Sequence, residues 1–306
     1  MTVAVNNNPG LASRLVNGIL AIQPLANLAK HQARQMMIKR AERIGVPWTQ
    51  EVETLQARDW KIDLAQVENP QLSYPEYYVT SFHAYETGNL SWQAAFEVEP
   101  AAYAVHAKIW QSAEEAQGDA MLRQSYHNIL NQIPNEPQDI LDVGCSVGLS
   151  SFALQEIYPH AKITGLDLSP YFLAVANYRA QQRQAKINWL HAQAESTGLP
   201  DASFDLVSIF LMCHELPQSA TRQILAEMRR VLRPGGYLAI MDMNPKSEVY
   251  KKMPAYILTL LKSTEPYLDE YFALDIEQAI VEAGFQTPTI TNNTHRHRTA
   301  IAQVSG

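Results

Sequence analysis

The amino-acid sequence predicts an α/β fold in which a mostly parallel sheet of seven strands follows a helical N-terminal extension. From residue 139 onward, short apolar runs alternate with runs of helical spacing, a pattern typical of βαβ units and a parallel sheet. Residues 1–132 consist instead of helical runs and irregular segments. We therefore expect an N-terminal extension over 1–132 and a sheet domain over 133–306.

The composition limits the class of protein. Of the 306 residues, 46% are apolar, so the chain can bury a sizeable core. Cys145 and Cys213 are too few for a disulfide framework, and no CxxC or Cys/His cluster offers a zinc site. Because no signal peptide is recognisable either, the expected location is a reducing cytoplasm.

The charge is unevenly distributed along the chain. Six basic side chains and one acidic side chain give residues 1–46 a net charge of +5, so residues 47–306 carry −12 within the total of −7. An acidic body binds the phosphate backbone poorly, so we do not expect nucleic acid as a partner.

The N-terminal extension contains two helical runs, over 11–28 and over 28–45. Pro24 should interrupt the first run, and Gly45 and Pro47 should end the second. The basic and apolar residues of 11–44 suit a peripheral contact with a membrane surface. The alternative is a helical pair that packs on the domain or on a second subunit of a homo-oligomer. Residues 74–92 collect six aromatic side chains, which indicates either the wall of a pocket or a clamp for the N-terminal helices.

The sheet domain follows in order. The predicted strands are "DILDVG", "KITGLDLS", "INWLHAQA", "FDLVSIFLMCHEL", "GYLAIMDMN", "TPTITNN" and "RTAIAQV". The intervening helices are "SSFALQEIYP", "PYFLAVANYRAQQRQ", "SATRQILAEMRRVL" and "DIEQAIVEAGF". Pro170 stands in the first turn of its helix, where its missing N–H does no harm, and Gly284 should end the last helix. The last strand is expected to be antiparallel.

The turn after the first strand, Gly144-Cys145-Ser146-Val147-Gly148, allows two interpretations. It matches G-x-S-x-G, the turn that presents a serine nucleophile in α/β-hydrolases. A triad of Ser146, Asp242 and either His295 or His297 would then make the chain a serine esterase. That turn normally follows several strands, however, whereas this one opens the sheet.

The alternative interpretation is a ligand-binding turn. A strand ending in Asp142, a glycine turn and a helix place backbone N–H groups beside a ligand, and Gly144 and Gly148 remove side chains where the ligand approaches. The second strand ends in Asp167, and a carboxylate there can accept from both hydroxyls of a ribose. The acidic Asp142 disfavours a pyrophosphate and favours an electropositive ligand, such as S-adenosylmethionine with its sulfonium and ammonium groups.

Four motifs resemble those of the class I S-adenosylmethionine-dependent methyltransferases, in particular the type 11 group that includes quinone-biosynthesis methyltransferases. They are "ILDVGCSVG", "ITGLDLSPYFLAVA", "AQAESTGLPDASFDLV" and "LAEMRRVLRPGGYLAI". The resemblance covers residues 136–245 strongly and 246–306 loosely. It implies a Rossmann-like sheet, with the first and fourth strands adjacent, and a transfer of the methyl group that leaves S-adenosylhomocysteine. Two positions depart from the family pattern: Ser146 replaces a glycine, and Gln193 replaces an acid.

The resemblance also implies which residues bind the cofactor. The methionyl end would lie against Asp142 and the turn formed by Gly144, Cys145, Ser146 and Gly148. The ribose would bind to Asp167, and the adenine to Leu168, Gln193 and Ala194. Phe210 and Leu211, at the end of the fourth strand, would line the side of the transferred methyl group.

The catalytic candidates follow from their positions. His214 comes just after the fourth strand, and its ordinary pKa suits proton removal from an acceptor, with Glu215 as the residue that orients it. Tyr85 is the second catalytic candidate, and together with Tyr78 and His83 it is a candidate for the wall of the acceptor site. The acceptor is expected to be an apolar or aromatic small molecule, because the variable segments are rich in Tyr, Leu and Met. His295 and His297 share a strand face, but without a third ligand they predict a solvated edge strand rather than a metal site.

Overall fold

A computed structural model describes residues 23–83, 85–110 and 115–305 of the chain. The helical run predicted from residue 11 therefore lies outside the described residues up to residue 22. The second predicted run is present as a helix that begins at Gln23, with Pro24 in its first turn, and ends at Arg43. Gly45, which follows it, has a φ of +83°.

The elements alternate along the chain as expected from residue 139 onward. The helices are α1 (Gln23–Arg43), α2 (Trp48–Gln56), α3 (Lys61–Val67), α4 (Trp92–His106), α5 (Gly118–Leu130), α6 (Leu149–Ile157), α7 (Pro170–Arg183), α8 (Gln218–Val231), α9 (Glu248–Lys251), α10 (Ala255–Thr264), α11 (Leu268–Ala273) and α12 (Ile276–Glu282). The strands are β1 (Asp139–Val143), β2 (Lys162–Asp167), β3 (Ile187–His191), β4 (Phe204–Phe210), β5 (Leu232–Met243), β6 (Thr289–Asn292) and β7 (His297–Gln303).

Seven strands of the described chain form one sheet in the order β3-β2-β1-β4-β5-β7-β6. The first five strands are parallel, and β7 is antiparallel to both β5 and β6. The strand order reverses between β1 and β4, which are neighbours as expected. In an open α/β sheet this reversal leaves a crevice at the carboxyl ends of the strands, where ligands bind. The Rossmann-like prediction is confirmed.

Alternation along each strand sends side chains to two separate cores. Leu141 and Val207 point to the face covered by α8 and α12, where Leu225 and Ile280 are buried. The neighbouring Ile140 points to the opposite face, which is covered by α5 and α6. Because β1 is buried on both faces, its residues are apolar apart from Asp139, which begins the strand, and Asp142.

The N-terminal helices pack against α7. Trp60, Trp92 and Phe96 are in mutual ring contact, and the cluster they form includes Phe172 and Val175 of α7. Two basic side chains of α1 point to α4: Arg34 donates to Glu97, and Arg40 donates to the Ala104 carbonyl. These contacts place α1 on the body of the protein, whereas most of the first run of the predicted helical pair lies outside the described residues.

Two details differ from the expectations. The fifth predicted strand, "GYLAIMDMN", starts at Gly236, whereas β5 begins at Leu232 and pairs irregularly with the start of β4. The prediction of a solvated edge strand around His297 is wrong. β7 lies between β5 and β6, and His297 and Arg298 are both buried, because the short strand β6 occupies the edge instead.

No helix within 23–83, 85–110 or 115–305 combines the length and the apolar character needed to cross a bilayer.

Tyr126 of α5 is an anchor between that helix and the sheet. Its buried hydroxyl lies 3.0 Å from Ser208 Oγ and donates to the Ala239 carbonyl at 3.3 Å. We expect Tyr126→Phe to lower the free energy of unfolding by about 1–2 kcal/mol, because two buried polar groups lose a partner. Urea unfolding would measure this, with the exposed Tyr256→Phe as the matched control. Equal stability of the two variants would contradict the anchoring role.

Candidate functional site

The turn between β1 and α6 is held in a strained conformation. Gly144, Ser146 and Gly148 have φ angles of +71°, +51° and +87°. Ser146 is unusual among them, because side-chain-bearing residues rarely adopt this region. The backbone N–H groups of Gly144 and Cys145 both donate to the Leu166 carbonyl, at 2.8 and 3.0 Å, which ties the turn to β2.

The two glycines of this turn are places of close approach. A Cβ atom on Gly144 would lie 2.5 Å from Met212 Sδ, and one on Gly148 would lie 2.7 Å from the Trp189 ring. Met212 follows β4 and Trp189 belongs to β3, so side chains from both sides converge on the turn. The sequence predicted a need for small residues here but not which neighbours impose it.

Asp142 is a fully buried carboxyl group in β1. Its Oδ2 accepts from the hydroxyls of Ser150 and Ser151, each at 2.6 Å. Its Oδ1 is buried and has no hydrogen-bond partner among the described residues. Burial raises the pKa of Asp142 to about 6, although the two serine hydroxyls oppose the shift.

Asp167, at the end of β2, is the second buried carboxyl group of the site. It accepts from the backbone N–H of Ser146 and from that of Ser169, both at 2.8 Å. Burial raises its pKa to about 6 as well, and Asp142 contributes to the shift. Asp167 therefore fixes the conformation of the turn, and it holds two negative oxygens beside it. Leu168, the next residue, is buried.

The hydrolase interpretation of Ser146 is wrong. Ser146 Oγ is buried and has no partner in the described part of the chain. Asp242 binds His214, His297 Nδ1 contacts the hydroxyl of Thr294, and His295 Nε2 accepts from Arg296, so the contacts of the described residues bring neither candidate histidine to Ser146. Its backbone N–H has the structural role here, because it donates to Asp167.

An irregular segment, residues 69–78, lies across the end of β3; we call it the strap. The Asn69 N–H donates to His191 Nδ1 at 2.8 Å, and Nε2 of this histidine lies 3.1 Å from the Leu168 carbonyl. Gln193 Nε2 donates to the Ser73 carbonyl, and the Tyr77 hydroxyl donates to Glu195. Because the amide nitrogen of Gln193 is used by the strap, its oxygen remains available to accept from a ligand. Ala194, beside it, is half-buried.

The end of β4 carries the residues predicted to line the methyl side. Phe210 lies on the same sheet face as Asp142, because Asp142 is in register with Ser208 two residues earlier. Its ring packs against Tyr126 and lies 4.7 Å from the Arg123 guanidinium. Leu211 is half-buried, with a φ of +55°, and its N–H donates to the Met241 carbonyl.

His214 is oriented by Asp242, at the end of the neighbouring strand β5. His214 Nδ1 lies 2.7 Å from Asp242 Oδ1, and the His214 backbone N–H donates to Oδ2 at 3.2 Å. Burial opposes the charged imidazole, but the Asp242 carboxylate outweighs it and raises the pKa of His214 to about 10. The expectation that Glu215 orients His214 is therefore wrong. A signal for Asp242 was available, because the carboxyl ends of adjacent parallel strands meet at one edge.

His83 joins this group from the N-terminal extension. Its Nε2 lies 3.1 Å from Glu265 Oε1 and 3.6 Å from Glu215 Oε1. Sequence patterns did not indicate Glu265, which precedes α11 and has no motif around it. The described residues include no group of three or more His, Cys, Asp or Glu side chains that could hold a metal ion.

Tyr85 is not brought to this group. Its hydroxyl donates to Glu97 Oε2 at 3.0 Å, and Glu97 also accepts from Arg34 and Gln93. Glu97 is completely buried, so the hydroxyl of Tyr85 satisfies a buried carboxylate between the N-terminal helices. The prediction of Tyr85 as a catalytic residue finds no geometric support.

Gly144 and Gly198 offer a matched test of the close approach at the turn. Both have a φ of +71°, but a Cβ on Gly198 would meet nothing within 4 Å. We expect Gly144→Ala to lower the free energy of unfolding by about 1–3 kcal/mol more than Gly198→Ala, because Met212 has to move. Urea unfolding of the two variants would measure the difference. Equal losses would show that only the backbone angle matters at Gly144.

Comparisons with known proteins identify the type of domain. Residues 140–236 match the family described as "Methyltransferase domain". Demethylmenaquinone methyltransferase of Thermus thermophilus is 33% identical over 109 residues, 36% of this chain and 49% of that protein. Malonyl-[acyl-carrier protein] O-methyltransferase of a Paenibacillus species is 30% identical over 167 residues, 53% and 59% of the two chains. The chain thus spans about half the length of these relatives.

Solved structures share the fold. Phosphoethanolamine N-methyltransferase 2 of Haemonchus contortus, in complex with S-adenosyl-L-methionine, superposes with a TM-score of 0.53 at 16% identity, over 76% of this chain and 61% of that one. The [4+2]-cyclase SpnF superposes with a TM-score of 0.50 at 17% identity, over 66% and 87%. Since a cyclase shares the fold, structural likeness alone leaves the reaction open, and the type of domain is identified by the sequence match over residues 140–236. The chain therefore contains a class I S-adenosylmethionine-dependent methyltransferase domain.

Proposed function

We propose that this protein transfers the methyl group of S-adenosylmethionine to an apolar or aromatic small molecule. The observation that supports this most directly is the pair of buried carboxyl groups, Asp142 and Asp167, beside a glycine turn. Burial raises the pKa of each to about 6, so both are ionised at neutral pH in surroundings that disfavour their charge. A cationic ligand relieves this unfavourable state.

The residues present fit S-adenosylmethionine. The unpartnered Oδ1 of Asp142 and the turn from Gly144 to Gly148 suit the positively charged methionyl end. Asp167 has oxygens that already accept from two N–H groups, and each oxygen can accept a further bond from a ribose hydroxyl. The strap binds the side-chain nitrogen of Gln193, and the side-chain oxygen can accept a hydrogen bond from the adenine amino group.

When bound, S-adenosylmethionine supplies a methyl group on a good leaving group, so the protein has mainly to align donor and acceptor. Alignment of two reactants contributes roughly 7–11 kcal/mol to a barrier. Leu211 and Met212, after β4, and the strap on the other side of the turn enclose the place where the reactants meet. The residues before 133 then serve as the cap of the acceptor site, with the strap as the part that touches the cofactor side.

His214 is the residue best placed to handle a proton of the acceptor. Its Nδ1 is held by Asp242, which leaves Nε2 to face the acceptor. Because Asp242 raises the pKa of His214 to about 10, the imidazole is charged at neutral pH and accepts a proton only in its minor neutral form. A base of this kind makes the transfer faster as the pH rises.

Two features support a small acceptor with apolar parts. Tyr74, Tyr77 and Tyr78 lie in the strap, and Tyr77 meets the Tyr267 ring at 6.2 Å. One relative is named for a quinone, demethylmenaquinone, which supports an acceptor with a ring.

Calorimetric titration with S-adenosylmethionine, followed by transfer of its labelled methyl group to a panel of acceptors, tests the proposal. Because a carboxyl group loses its charge below its pKa, affinity should fall by about tenfold per pH unit below pH 6. Asp167→Asn should weaken binding at least tenfold, whereas the exposed Glu53→Gln should not. Absence of binding at every pH would contradict the proposal, and binding without any transfer would indicate a catalytically silent member.

The proposed role of His214 predicts a specific dependence of kcat on pH. We expect Asp242→Asn to shift the rise of kcat with pH toward lower pH by at least one unit, because the charge that keeps His214 protonated is removed. His214→Asn should remove this rise altogether. The affinity for S-adenosylmethionine is the control and should stay unchanged in both variants. An unshifted pH profile in Asp242→Asn would exclude His214 as the base.

A further inference from the structure

Next to His214, three side chains form a second group, which we call the Glu265 subsite: His83, Glu215 and Glu265. Glu265 is 8% exposed, and its Oε1 lies 3.1 Å from His83 Nε2. The other oxygen, Oε2, is buried and has no partner in the described chain. A buried carboxylate oxygen without a donor is costly, so its presence calls for a ligand that donates to it.

His83 reaches the subsite from a strained backbone conformation. His83 has a φ of +54°, and its N–H donates to the Thr264 carbonyl at 2.9 Å, which joins the loop to the end of α10. The side chains of His83 and Glu215 keep contact with solvent, being 38% and 23% exposed. A ligand can therefore reach the buried oxygen of Glu265 past these two residues.

The charges around the subsite favour a cation. His83 and His214 bring two positive charges at most, whereas Asp242, Glu215 and Glu265 bring three negative ones. Burial raises the pKa of Glu215 to about 7, and Glu265 and Asp167 raise it while His83 and His214 lower it. The Asp167 and Glu215 carboxylates also contribute to the raised pKa of Tyr78, after its burial. Above pH 7, where Glu215 is ionised, the two histidines and three carboxylates together carry a net negative charge.

Aromatic rings border the subsite. Tyr77 is in edge contact with Tyr78 and with Tyr267, which stands two residues after Glu265, and Phe82 packs on the His83 ring at 4.2 Å. Carboxylates combined with aromatic faces recognise an ammonium group, through charged hydrogen bonds and cation–π contact.

We infer that the Glu265 subsite binds a protonated amine of the acceptor molecule, with Glu265 Oε2 and Glu215 as its hydrogen-bond acceptors. This inference rests on the proposed function, and it narrows the acceptor to an amine that carries an apolar or aromatic body. The ammonium group of S-adenosylmethionine itself is the other cation of the same chemistry, and the experiment has to separate the two.

The test compares 2-phenylethylamine with 2-phenylethanol, which share a skeleton and differ in charge. Ligand-detected NMR at pH 8, with and without saturating S-adenosylhomocysteine, should show binding of the amine at least tenfold stronger than that of the alcohol. Glu265→Gln should remove this preference, whereas the exposed Glu282→Gln should keep it. The preference should also shrink as the pH falls below 7, because Glu215 takes up a proton.

Separate outcomes distinguish the possible failures. Equal binding of amine and alcohol to the wild-type protein would overturn the inference, even if Glu265→Gln failed to fold. A parallel loss of S-adenosylmethionine affinity in Glu265→Gln would assign the subsite to the cofactor and overturn it too. If the proposed function fails, the wild-type protein will not bind S-adenosylmethionine. The amine preference is an independent result, because it is measured without that compound.

Discussion

The burial of two carboxyl groups at one edge of the sheet is the constraint on which the rest of the site depends. Asp142 is a fully buried charged residue of β1, and Asp167 ends the neighbouring strand. Two serine hydroxyls of α6 and two backbone N–H groups are needed to hold them. These hydrogen bonds determine where α6 begins and how the turn is bent. The geometry that makes the site receptive to a cation is therefore also the geometry that builds the first βαβ unit.

Much of this βαβ unit was predictable from the sequence, because the residues that define it lie close together in the chain. The apolar run of β1, the spacing of Gly144 and Gly148 and the acid at the end of β2 all lie within 30 residues. The pairs that complete the acceptor side are different. His214 with Asp242 and His83 with Glu265 join residues far apart in the chain, and nothing near Glu265 indicates its burial. The sequence also did not indicate that β7 lies inside the sheet, because His297 and Arg298 are polar residues at buried positions.

The aromatic residues of the extension divide into two groups that sequence patterns could not separate. Trp60, Trp92 and Phe96 form a core against α7, and Tyr85 satisfies the buried Glu97. Tyr74, Tyr77 and Tyr78 belong to the strap and lie over the site. Both groups are aromatic and come from the same part of the sequence, so only the path of the chain in three dimensions separates the residues that stabilise the fold from those of the strap.

The strap connects the two sides of the proposed site. Its backbone binds His191 and Gln193 on the nucleoside side, and the same ten residues carry tyrosines toward the acceptor side. Residues 69–78 therefore border both sides of the proposed site, and a movement of this segment would change both sides. On the proposed function, the strap couples the nucleoside side of the site to the acceptor side, because both depend on the position of the same ten residues.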